Sequence, residues 1–135
     1  MGGDEIFFEQ IRSAGCLSYI LGCAKEKVCV VIDPELDKAE DYVGLAEFLG
    51  STILYAIDTH THADHSSACK VMRERFGVKI IMHRSAEAPY VDIHVEDGQE
   101  IRFGQQLLKV IHTPGPPRTP RACCLKIASS PAILC

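Results

Sequence analysis

The sequence predicts an α/β fold, on three observations. Three short apolar runs, Val28–Ile32, Ile53–Ile57 and Val78–Met82, have the length and β-branched content of buried strands. The two segments between them carry apolar residues at helical spacing. The 135 residues are 47% hydrophobic and 24% charged, enough for one core in one domain.

The elements follow in order. Ile6–Gln10 is a short strand, apolar at its start. Leu17–Leu21 and Val28–Ile32 flank the polar turn Ala24–Lys27, which is a hairpin signal. Asp33-Pro34 stops the second of these strands. A helix is predicted over Asp37–Leu49, with Val43, Ala46 and Leu49 on its apolar side, Leu45 and Phe48 beside them, and Gly50 closing it. Ile53–Ile57 is the next strand and runs into Asp58-Thr59-His60. A second helix is predicted over Ser66–Phe76, with Ala68, Val71, Met72 and Phe76 on one side and Gly77 as its stop. Val78–Met82 follows as a buried strand. After Pro89, the runs Val91–Val95, Glu100–Phe103 and Gln106–Ile111 read as a meander, with turns at Asp97-Gly98 and Gly104.

Composition narrows the function. The formal charge is −4 with no basic run, which argues against nucleic acid as a partner. No apolar stretch approaches the ~20 residues that cross a bilayer, so no membrane partner is expected. The opening MGGDEIFFEQ has acids where a signal peptide has positive charge, and a cytoplasmic location is expected. Seven cysteines include no Cys-x-x-Cys pair. In a reducing compartment they read as free thiols, with Cys16, Cys23, Cys29 and Cys69 as small apolar packing residues.

One segment carries chemistry. Thr59-His60-Thr61-His62-Ala63-Asp64-His65 places four metal-ligand side chains within six positions, between a strand and a helix. In extended chain, residues two apart point to the same side, so His60 and His62 can converge on one point. Asp64 and His65 fall where the chain turns into the helix and can face a second point. Imidazole nitrogen with carboxylate oxygen suits zinc, iron or manganese. A single histidine here would read as a satisfied polar group at a strand end. Four such residues at a strand C-terminus, where α/β sheets usually carry their sites, read as a metal centre.

His-x-His-x-Asp-His in this setting resembles the metallo-β-lactamase superfamily. The opening hairpin, Val31-Ile32-Asp33-Pro34, Asp58–His65, the stretch Asp92–Gly104 and His112-Thr113-Pro114-Gly115 fall in the order that family uses. The stretch DIHVEDGQEIRFG is most similar to persulfide dioxygenases, with glyoxalase II thioesterases as the nearest relatives. The resemblance covers residues 6–115. It implies the N-terminal half of an αββα sandwich, truncated before most of its second sheet. It implies His60 and His62 at one metal site, Asp64 and His65 at a second, and a catalytic place for Asp64. The cofactor is then a single iron or one or two zinc ions. The substrate is glutathione persulfide for a dioxygenase, or a glutathione thioester for a zinc hydrolase. Association into homo-oligomers is compatible with either.

The chain departs from the family after Gly115. The family places a metal-binding His there, and this chain has Pro116. The later Asp ligand, normally after Thr-Gly, is absent. His112 lies before the turn and reads as a residue that supports the ligands from behind or as a structural one. The last twenty residues hold four of the seven Pro and three of the seven Cys, with no periodicity of their own. Loss of one base from a His codon after Gly115 turns His-Thr-Pro-Asp-Ser into the Pro-Pro-Arg-Thr-Pro of positions 116–120. The same shift lets positions 129–135 encode Val-Phe-Thr-Gly-Asp-Thr-Leu, with its Asp at position 133, 17 places beyond Pro116. The sequence therefore divides into a family-like part, 1–115, and a tail, 116–135, that reads as out of frame. Two expectations follow: the chain as written is an inactive remnant that holds metal poorly, and the apolar face of Val28–Ile32, Ile53–Ile57 and Val78–Met82 is left uncovered.

Overall fold

A computed structural model describes residues 6–13, 16–59, 68–84, 90–112, 123–128 and 133–134. Its strands and helices are β1 (Ile6–Ser13), β2 (Cys16–Cys23), β3 (Val28–Ile32), α1 (Ala39–Phe48), β4 (Thr52–Asp58), α2 (Cys69–Phe76) and β5 (Lys79–His83), then β6 (Ile93–Val95), β7 (Glu100–Phe103), β8 (Gln106–His112), β9 (Cys123–Ile127) and β10 (Ile133–Leu134). A short 3-10 turn, Leu36–Lys38, leads into α1.

β1 to β6 form one sheet in chain order, and β10-β9-β8-β7 form a second. The first sheet opens with antiparallel pairs, β1 with β2 and β2 with β3. It continues with parallel pairs, β3 with β4, β4 with β5 and β5 with β6. The second sheet is antiparallel throughout. Strand side chains alternate between two cores. The row Tyr19, Ile32, Ile57 and Ile81 lies across four paired strands and faces the second sheet. The adjacent row Ile20, Val31, Ala56 and Ile80 faces α1 and α2. The α/β class predicted from sequence is therefore the class observed, with helices on the outer face of the larger sheet.

Four expectations need correction. The apolar sheet face is covered: Val30, Ile32, Ile57 and Ile81 are at most 1% exposed, packed with Phe103, Leu108, Val110, Leu125, Ile127 and Leu134. The covering sheet is complete enough because the tail is not structureless. Leu125 and Ile127 alternate inward on β9, and Leu134 follows on β10.

Val91–Val95 does not belong to the meander. Its last three residues are β6, parallel to β5 in the first sheet. The Asp92 carboxylate accepts the Ile80 N–H at 2.9 Å and Arg73 Nε at 3.1 Å, which fastens this segment to β5 and α2.

On α1 the buried stripe is Ala39, Tyr42 and Ala46. Val43 and Leu45 are half-buried, Phe48 is 85% exposed and Leu49 is exposed. Small alanines let the helix approach the sheet, and the Tyr42 hydroxyl keeps polar partners where it is buried. The second helix is observed from Cys69, with Ala68 as its N-cap and Gly77 ending it at φ 70°, the left-handed conformation glycine adopts freely.

Cys23, Cys29 and Cys69 are buried and stand outside any disulfide, as expected. Cys124 is disulfide-bonded, so the free-thiol reading does not extend to it. No helix among the described residues is long and apolar enough to cross a membrane.

Candidate metal centre

β4 runs parallel between β3 and β5, so its C-terminal end lies at the centre of the parallel edge. Open α/β sheets hold their crevices along that edge. Asp58 ends the strand and Thr59 follows it, 4% and 2% exposed. His60, His62, Asp64 and His65, the four predicted ligands, follow at once and lie outside the described residues. The structure thus describes both flanks of the motif.

Both flanks are tied to one dipeptide, Asp33-Pro34, at the end of β3. On the near side, the Asp33 carboxylate accepts the Thr59 N–H at 2.7 Å and the Thr59 hydroxyl at 2.5 Å. On the far side, the Ala68 N–H donates to the Pro34 carbonyl at 2.9 Å. Asp33 has φ 52°, a left-handed conformation that costs a residue with a side chain roughly 1 kcal/mol or more. Its N–H donates to the Ile57 carbonyl at 2.7 Å, and its carbonyl accepts the Ser18 hydroxyl at 2.8 Å. These bonds over-determine the backbone at Asp33 and hold it there.

Behind Asp33 lies Tyr42, fully buried on α1. Its hydroxyl is 2.8 Å from Ser18 Oγ and accepts the Glu35 N–H at 2.9 Å. Burial pushes the Tyr42 phenol up, against the hydrogen bonds from Glu35 and Ser18. Across the same edge, burial also pushes the Tyr90 phenol up, and the nearby charges of Asp58 and Cys69 add to this. The Arg73 guanidinium and the Ile80 N–H hold the Asp92 carboxyl below its ordinary range.

Among the described residues, no three His, Cys, Asp or Glu side chains gather to hold a metal ion. The donor set of the motif, three imidazoles and a carboxylate, fits iron or zinc by its chemistry. His112 ends β8 opposite Cys123. Sequence reasoning took Asp33-Pro34 as a strand stop and as part of the family resemblance, gave it no role at the site, and did not single out Ser18 or Tyr42. A carboxylate at the end of the strand beside the motif strand was the available signal.

Comparison with known proteins gives the family. The family description "Metallo-beta-lactamase superfamily" matches residues 13–125. The human (Homo sapiens) persulfide dioxygenase ETHE1, named as mitochondrial, is 37% identical over 116 residues, which is 84% of this chain and 45% of that protein. The hydroxyacylglutathione hydrolase of Rhodospirillum rubrum is 36% identical over 102 residues, 72% of this chain and 38% of that protein. Among solved structures, ETHE1 from Myxococcus xanthus superposes with a TM-score of 0.80 at 28% identity, over 90% of this chain and 53% of that one. A metallo-beta-lactamase from Staphylococcus aureus also gives 0.80 at 28% identity, over 93% and 39%. The chain spans less than half the length of the curated relatives it matches. With the family matched over most of its length and the two-sheet architecture in place, the chain belongs to the metallo-β-lactamase superfamily.

Proposed function

We propose that this chain is part of a persulfide dioxygenase-like enzyme that oxidises glutathione persulfide at a mononuclear iron. The observation that carries the reading is His60, His62, Asp64 and His65 placed directly after β4, with both flanks fastened to Asp33-Pro34. The similarity to human ETHE1 supports the dioxygenase over other branches. His60 is the residue of the motif that would hold the iron, as one member of a two-His, one-carboxylate set. Such an ion, when bound, supplies an oxygen-activating centre. The chain itself contributes the end of β4 and the hydrogen bonds that hold Thr59 and Ala68 on either side of the motif.

The second reading is a zinc thioesterase of glyoxalase II type. It is favoured by the similarity to the hydroxyacylglutathione hydrolase. There His60, His62, Asp64 and His65 would all serve as ligands, with Asp64 also the catalytic residue, and the zinc would supply Lewis-acid activation of water. Oxygen uptake separates the two. With the missing His and Asp ligands restored, the dioxygenase consumes oxygen with glutathione persulfide and loses that activity in His60→Ala. The thioesterase cleaves S-lactoylglutathione without oxygen uptake, and that result would overturn the first reading.

The motif alone gives at most two protein ligands to each of two metal points, where a catalytic zinc normally has three. We therefore propose that residues 1–115 are the family part and that 116–135 are an out-of-frame tail, so the chain as written is inactive and holds metal poorly. The codon fit at 116–120 and 129–135 supports this. β9 and β10 are compatible with it, because a short apolar stretch pairs on β8 in whatever frame it is read. The nucleotide sequence across codons 114–136 tests the division. Elemental analysis after dialysis tests the metal: one tight equivalent per chain overturns the inactive reading. A cytoplasmic location is part of the same proposal and is tested by cell fractionation.

A further inference from the structure

The geometry points to Tyr42 as a positioning residue: its hydroxyl, through Ser18 and Asp33, fixes both ends of the segment that carries His60, His62, Asp64 and His65.

The ends of that segment are Thr59 and Ala68, and each donates its N–H to the Asp33-Pro34 dipeptide. The spacing between the ends is therefore set by a single turn of backbone. That turn is in a left-handed conformation at Asp33, which holds only while its neighbours constrain it. Three constraints come from the strands: Ile57 O on the Asp33 N–H, Thr59 on its carboxylate, and Ser18 Oγ on its carbonyl. The Tyr42 hydroxyl adds two more from the helix side. It meets Ser18 Oγ at 2.8 Å and receives the Glu35 N–H at 2.9 Å, so one oxygen braces the turn at the Asp33 carbonyl, through Ser18, and just after Pro34, at Glu35. The group is fully buried, where a hydrogen bond left unmade has no water to replace it. A tyrosine that only filled space would need none of these bonds, and phenylalanine would serve as well.

The inference rests on the proposed metal reading only for what the anchoring serves, and the anchoring is measured without metal. Amide hydrogen exchange on the full chain reads it directly. Tyr42→Phe keeps the ring and removes the hydroxyl. Exchange at Thr59 and Ala68 should then quicken about tenfold, while strand amides such as Val31 and Ala56 stay within about twofold. Ser18→Ala should reproduce the pattern, and the double variant should add little, because both act on one chain of bonds. Unchanged exchange at Thr59 and Ala68 overturns the proposal. So does equal loosening of every amide, which is what a purely packing role produces, and so does a double variant whose effect is the product of the two. Zinc binding, read separately by competition with a chelator on the chain with its missing His and Asp restored, bears on the metal reading alone: a restored chain that passes the exchange test and holds no zinc keeps the anchoring role and loses the metal one.

Discussion

Thr59 presents both of its donors, backbone N–H and hydroxyl, to the two carboxylate oxygens of Asp33, 26 residues earlier in the chain. One side chain on β3's end thus fixes the last described residue before the predicted metal ligands. The pairing joins two neighbouring parallel strands at the edge where the site is expected.

Asp33→Ala removes both carboxylate acceptors and leaves a non-glycine residue at φ 52° held only by its backbone bonds to Ile57 and Ser18. The expected loss is about 3 kcal/mol. Asp33→Asn keeps one acceptor and tolerates the left-handed backbone, so its loss should be about 1 kcal/mol. Urea melts of the three proteins check the order. An alanine variant as stable as wild type would mean that the carboxylate pairing contributes nothing.

The Asp92 carboxyl gives a pH signature. Its partners Arg73 and the Ile80 N–H hold it below its ordinary value in the folded chain. The unfolded chain then binds more protons as pH falls through the ordinary carboxylate range near about 3.9, and stability falls with it. The contribution is full at neutral pH and fades below roughly pH 4. Asp92→Asn should therefore be less stable than wild type at pH 7, with the gap closing toward pH 3. A gap that stays constant with pH assigns the effect to something other than this charge.

Cys29 gives a signature at the other end of the scale. Burial pushes its thiol up to about 12. In the unfolded chain it ionises near about pH 8.5, so between there and pH 12 the unfolded state has lost a proton that the folded state keeps. Stability must fall with rising pH through that window. Cys29→Ala should show a shallower alkaline loss than wild type in matched thermal melts. Parallel curves would show that the thiol ionises as readily folded as unfolded.

Leu125 tests the covering sheet. It is fully buried on β9, in the core between the sheets. Leu125→Ala should cost about 2–5 kcal/mol. Lys126→Ala, one residue along on the other face, should change stability by less than about 0.5 kcal/mol. Differential scanning calorimetry separates them, and two near-zero values would remove β9 from the core.

The continuous apolar runs were legible because their composition needs no partner to be read. β3 has the predicted boundaries, and β4 and β5 each differ by one or two residues. Val91–Val95 was misplaced because an apolar run pairs with either sheet, and the choice was made by Asp92 with Arg73 and Ile80. β9 was missed because Cys-Cys-Leu-Lys-Ile is too short for its alternation to stand out. The α1 face was misjudged because hydrophobicity ranks Phe48 above Tyr42, and the phenol is buried only by virtue of Ser18 and Glu35. The metal-ligand motif was legible as six adjacent positions. Its bracing was not, because Ser18 lies 15 residues from Asp33 and 24 from Tyr42.

The two side-by-side rows of the first sheet set how the chain tolerates changes of length. Ala56 sits against α1 and α2 among other small residues, and Ile57 sits in the thick layer between the sheets. One codon gained or lost inside β4 would exchange them, driving a branched side chain under the helices and leaving a void opposite Phe103 and Leu108. It would also move Thr59 out of step with Asp33. Homologous chains should therefore vary in length at the turns, such as Ala24–Lys27, and hold β3 to β5 to a constant count of residues.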